Sequence, residues 1–216
     1  MSESRSSPYL LLTSKPPNRQ ETTSNPAATL AWIQTRLTSI YEIARADQQE
    51  DKLSTLDRAS YLDIYTAIHD FCIATMSGQK GLNPGDFYRI LDRIIREHCI
   101  EIRTRILESK DGGATLEQLT TTYLTRRNGF TRLVGFVTHL TQPLERVWIR
   151  RQIDEGRKDV RLNRDLHEMI WQQEVLGTDA KATGLEEMAN AAEALHIQDG
   201  SESNSDEEPT KTFLNP

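Results

Sequence analysis

His98 and Cys99 are adjacent in the segment RIIREHCIEI, and an imidazole beside a thiol is the first pairing to test for nucleophilic chemistry. A general base must face its nucleophile, whereas consecutive residues of a helix point in different directions. Nothing nearby organises the pair, so Cys99 and the equally apolar-flanked Cys72 read as structural thiols, without the CxxC spacing of a redox or zinc site. The remaining histidines, His69, His139, His167 and His196, fall in separate segments with no HExxH and no cluster at metal-ligand spacing. The loop GQKGLNPGD lacks the GKS or GKT ending and the preceding strand of a phosphate-cradling loop. The expectation is a protein that is not an enzyme, with no catalytic residue, no metal and no cofactor.

Charge offers a second kind of chemistry. Between Glu145 and Arg164 the basic residues Arg146, Arg150, Arg151, Arg157, Lys158, Arg161 and Arg164 would make a stripe for a nucleic acid or another anion. Glu145, Asp154, Glu155 and Asp159 interrupt it, so seven positive against four negative charges leave only +3. An internally paired, solvated junction is favoured, and a nucleic-acid-binding helical module is the lesser alternative.

The elements that must position these residues are helices. Leu30, Ile33, Leu37 and Ile40 recur at three- and four-residue steps behind Pro26, which suits a first helical turn. Tyr61, Ile64, Tyr65, Ile68, Phe71 and Cys72 make a second stripe, and Leu62 lies off it, facing outward. A third run from Pro84 or Asp86 to Leu107 carries Phe87, Leu91, Ile94, Ile95, Cys99 and Ile102 on one side. Thr115 is placed to cap a fourth, whose apolar face continues through Phe130, Leu133, Val137 and Leu140 until Pro143 breaks the hydrogen-bond ladder. A last helix is predicted over 160–176, and no strand pattern of comparable length competes. The fold class is therefore all-α, with five or six helices closing one core.

Of the 216 residues only 37% are apolar, and the deficit is local. From Gly177 onward nine acidic residues face two lysines, a charge of −7, while the 24 basic and 23 acidic residues before it almost cancel. Three divisions follow: a disordered arm over 1–25, a helical domain over 26–176, and an acidic, mostly disordered tail over 177–216. The near-neutral body shows no attraction for nucleic acid or acidic membranes, and YLLL near the N-terminus is too short for a membrane span. Reduced thiols point to an intracellular protein of the cytoplasm or nucleus.

WIRRQIDEGRKD, residues 148–159, resembles the WVRRxxDEGRK-type signature in the N-terminal region of cullins, the scaffolds of multisubunit ubiquitin ligases. Upstream, SYLDIYTAIHDFC is similar to the cullin helix written YMELYTxVYNYC, and LNPGDFYRILDRIIREHC to the segment leading into LYxRLxxFLxxHL. Trp171 stands where the cullin helix after the DEGRK segment has its tryptophan. The likeness runs in order from about Leu30 to Leu176.

The resemblance implies a first cullin repeat, a five-helix bundle, which recognises a BTB/Skp1-like adaptor or an equivalent protein. Carried onto this chain, the adaptor contacts are Tyr61, Leu62 and Tyr65 in the second repeat helix and Arg161, Asp165 and Glu168 in the fifth. Trp148, Arg150, Arg151, Asp154, Glu155, Gly156, Arg157, Lys158 and Trp171 form the structural signature: tryptophan packing, a tight turn and paired charges. Full cullins continue into a region that recruits a RING protein and carries a Nedd8 site, and neither is expected on this chain. The implied function is the scaffold arm of a cullin-type ligase, or a truncated cullin-like protein that sequesters adaptors.

Overall fold

The computed structural model describes residues 15–46, 56–76, 81–177 and 184–192; the expectations for the first fourteen residues and for the acidic run near the C-terminus lie outside them. The described residues form an all-α, multi-helix bundle with no strand among them.

Helix α1 (Arg19–Ser24) lies inside the arm expected to be disordered. Its start is written locally: Asn18 accepts from the Glu21 N–H and Glu21 reaches back to the Asn18 N–H, at 2.9 and 2.8 Å. The buried Thr29 hydroxyl bonds Thr22 at 3.2 Å and ties α1 to α2 (Pro26–Ala46). The two long helices that follow, α3 (Arg58–Thr75) and α4 (Pro84–Asp111), begin at Asp57 and at the Asn83/Asp86 capping box. Thr115 caps α5 (Leu116–Leu140).

The expected break at Pro143 is a short turn at Thr141. Helix α6 (Gln142–Leu144) then runs through a π-helical segment, Glu145–Ile149, into α7 (Arg150–Asp154). Helix α8 (Asn163–Ile170) likewise widens into a π-helical segment, Trp171–Leu176. A further helix, α9, spans 185–192, and its Leu185, Met188 and Ala192 are buried. This part of the tail is therefore packed rather than disordered, because three small or apolar residues recur on one face.

The core joins Ile33, Leu37 and Ile40 of α2, Ile68 and Phe71 of α3, and Leu91 and Ile95 of α4 to the inner faces of α5 and α8. Helix α4 is the central strut. Its Arg96 binds Asp92 at 2.8 Å and Glu174 at 2.6 Å, and its Arg103 donates to the carbonyls of Val175 and Leu176 at 3.3 and 3.1 Å. A cation on the last carbonyls of a helix complements their partial negative charge, so α4 fixes the position and the end of the π-helical segment that continues α8.

Candidate functional site: a protein-binding face

Helix α3 presents an apolar stripe to solvent. Leu62, Thr66, His69, Ile73 and Met76 follow at steps of four, three, four and three, which keeps them on one side of the helix. Leu62 is 49% exposed, Ile73 41% and Met76 55%, so three of the five are large hydrophobic groups in water. Tyr61 and Tyr65 border the stripe, half-buried and stacked at 6.4 Å. The Tyr61 ring sits edge-on to Phe136 of α5 at 5.8 Å, and burial with the neighbouring Tyr65 raises its hydroxyl pKa. About half of Leu62 is thus left to solvent, whereas Tyr61 also holds α3 to α5.

The residues at the start of α8 are anchored differently. The Arg161 backbone N–H donates to the Tyr88 hydroxyl of α4 at 2.9 Å, leaving the Arg161 side chain exposed. Asp165 is exposed in the first turn of α8. Glu168 is engaged, accepting from Arg127 of α5 at 2.7 Å and from Gln172 at 3.1 Å. Arg127 in turn lies over the Trp171 ring at 5.0 Å.

Both groups meet one end of α5. Tyr61 packs on Phe136, while Asn163, the first residue of α8, donates to the Thr141 hydroxyl at 2.9 Å. Five residues of helix separate those anchor points, a rise of about 7.5 Å. The N-terminal parts of α3 and α8 thus flank the same end of α5, bringing Tyr61, Leu62 and Tyr65 to the same end of the bundle as Arg161 and Asp165.

The stretch Trp148–Asp159 builds the joint between them. Trp148 packs against Tyr88 at 5.5 Å and over Gly85, where an added Cβ would lie 2.7 Å from the indole. Arg150 pairs with Glu145 at 3.0 Å, Arg151 with Glu155 at 2.7 Å, and Arg157 with Asp159. Gly156 turns the chain at φ 86°, a region that L side chains rarely adopt. Asp154 and Lys158 are exposed. Trp171 is fully buried, 4.7 Å from Phe130 and 5.9 Å from Tyr123. Three of the seven basic residues of the stripe, Arg150, Arg151 and Arg157, are thus held in local ion pairs.

Beneath this face runs a buried polar relay that periodicity does not announce. His167 Nδ1 lies 2.6 Å from the Asn163 carbonyl, which can only accept, so Nδ1 carries the proton and Nε2 accepts the Tyr41 hydroxyl at 2.7 Å. Burial pushes His167 down to about 4 and Tyr41 well above its usual range. His98 lies edge-on to Tyr41 at 5.3 Å, and burial, with Arg45 next in effect, pushes it down to about 3. Neighbouring Cys99 is also raised by burial, and Cys72 is raised to about 12, so both thiols stay protonated and unreactive. Among the described residues no group of His, Cys, Asp or Glu has metal-binding geometry, and no helix is long and apolar enough to cross a membrane.

Sequence reading found Leu62 and missed Ile73 and Met76. Their signal was the same: apolar residues out of phase with the core stripe, eleven and fourteen positions further on.

No protein-family model and no solved structure gives a significant match to the chain. A curated relative, Cullin-1 of Dictyostelium discoideum, is 25% identical over 116 residues, covering 48% of this chain. The match takes in only 14% of that relative's length, so the similarity is a distant and partial one to the cullin superfamily.

Proposed function

We propose that this chain is a non-catalytic protein-interaction scaffold arm of the cullin type, whose partner is a BTB/Skp1-like adaptor or an equivalent protein. The observation that carries the reading is the solvent-facing stripe Leu62–Ile73–Met76, beside Tyr61 and Tyr65 and at the same end of the bundle as the start of α8. Interfaces concentrate their binding energy in a few aromatic and apolar anchors ringed by polar groups. Here Leu62 and the two tyrosines are the anchors, while Arg161 and Asp165 supply charge at the rim. The partial similarity to a cullin supports the class of partner, and the five-helix repeat arrangement belongs to the same proposal. Recruitment of a RING protein and a Nedd8 site are not assigned to this chain. The proposed setting is intracellular, where such adaptors act.

The test is isothermal titration of the full chain with purified Skp1-like and BTB-domain proteins. Saturable binding to one of them that Leu62→Ala weakens about tenfold or more supports the proposal. Failure of a folded chain to bind any of them would overturn it.

A further inference from the structure

On the flank between α4 and α5 lies a cleft that the proposed adaptor face does not use. Its outer part, about 660 Å³, is lined by Arg105, Glu108 and Ser109 of α4 and by Thr121, Thr125 and Arg126 of α5. An inner chamber of about 30 Å³ shares Arg105, Thr125 and Arg126 and is closed by Arg45, His98 and Phe130. Gly129 contributes to the space, since a Cβ there would meet nothing within 4 Å.

The polar groups around the cleft are unevenly matched. Glu101 serves two guanidiniums, Arg45 at 2.5 Å and Arg105 at 2.6 Å. Arg126 has no ion pair or hydrogen bond among the described residues, although it is half-buried and burial lowers its pKa. Ser109, Thr121 and Thr125 spend their hydroxyl protons on carbonyls one turn back, so the available donors are the guanidinium N–H groups. Within the chamber His98 Nδ1 is buried without a partner, as is Arg45 Nε. Buried polar atoms in that state call for a ligand atom or a water, and the inner volume has room for one. With three arginines against Glu101 and Glu108, the unbalanced positive charge rests on Arg126.

We propose that this cleft is a carboxylate-binding site and that its occupant is the acidic segment 201–208, SESNSDEE, of the same chain. Helix α9 starts beside the cleft's end of α4: a Cβ on Gly184 would stand 3.5 Å from Lys110 Nζ. After α9, fourteen residues lead from Ala192 to Asp206, and an extended chain of that length reaches up to about 46 Å. The segment holds Glu202, Asp206, Glu207 and Glu208 and no basic residue. A guanidinium fork accepts a carboxylate through two parallel hydrogen bonds, which suits Arg126 as the principal contact. A free phosphate carries a similar charge and is the competing source.

The experiment uses the full chain with its tail neutralised by Asp206→Asn, Glu207→Gln and Glu208→Gln. A synthetic SESNSDEE peptide and inorganic phosphate are titrated separately at low salt, following the Arg126 Nε–H and His98 ring signals by NMR. The proposal expects the peptide to shift both signals and to bind the neutralised chain at least tenfold more tightly than the native chain, whose own tail competes. Arg126→Gln should abolish the binding, and Arg132→Gln, an exposed change on the same helix, should leave it intact. Peptide that binds both chains equally, or not at all to a folded neutralised chain, overturns the proposal. Shifts produced by phosphate alone overturn the tail as occupant.

Discussion

The Tyr41 hydroxyl donates to His167 Nε2 at 2.7 Å, joining residues 126 positions apart in the chain. The relay continues from His167 to Asn163 and from Asn163 to Thr141, so one line of hydrogen bonds spans α2, α8 and α5. A directional network sets rotation as well as distance, which apolar contacts alone leave looser. The orientation of Asp165 and Glu168 therefore depends on a tyrosine near the other end of the sequence.

Tyr41→Phe should cost about 1–3 kcal/mol of unfolding free energy, because it leaves a buried imidazole nitrogen without its donor while preserving the ring. Urea denaturation measures this directly. A change below about 0.5 kcal/mol would show that the relay contributes no stability.

Acid should weaken the fold as the histidines of the unfolded chain take up protons that the buried native ones refuse. His167 and His98 stay neutral in the native chain down to about pH 4 and 3, whereas unfolded histidine takes up its proton near 6.5. The unfolded state therefore binds more protons below 6.5; the stabilisation is complete above that pH and is lost as pH falls. By pH 5 the combined loss is on the order of 4 kcal/mol at ~1.4 kcal/mol per unit for each group. The lowered Asp57 and Asp159 carboxyls act only below their usual value of 3.8, outside this window. Urea midpoints at pH 7, 6 and 5 should fall steadily, and His167→Gln should flatten that dependence.

Leu62→Asp separates binding from folding. The residue is half exposed, so stability should change by no more than about 0.5 kcal/mol, while adaptor affinity should drop by about 2 kcal/mol or more if Leu62 is an anchor. Tyr61→Ala is a poorer probe, because it also removes the contact with Phe136.

Gly85→Ala should destabilise the joint by about 1–3 kcal/mol, the usual cost of overpacking. The new methyl group would approach both the Trp148 indole and the Asn83 cap oxygen at 2.7 Å. The double variant with Trp148→Leu should recover part of the loss, as measured by thermal melting.

Much of this architecture is legible in the residues. Periodicity and capping signals mark α2 to α5, and Leu62 stands out because its phase disagrees with its neighbours. Helix α1 escaped because its six residues carry no apolar stripe, although the Asn18 to Glu21 box was there to be read. Helix α9 was hidden by the charge of the segment around it. The His98, Tyr41 and His167 grouping could not be inferred from spacing, since it arises only where three helices converge. The ion pair between Glu168 and Arg127 is equally invisible in the sequence, since it joins residues on two different helices.

The two tryptophans Trp148 and Trp171 each belong to a π-helical segment. A π-turn closes its hydrogen bond one residue later than an α-turn, so it behaves as a single-residue insertion that the helix absorbs without forming a loop. Every side chain downstream is rotated by one residue's worth of phase. A relative whose helices lack these π turns would align with this chain only through one-residue gaps inside the two segments, whereas one that shares them would align without gaps.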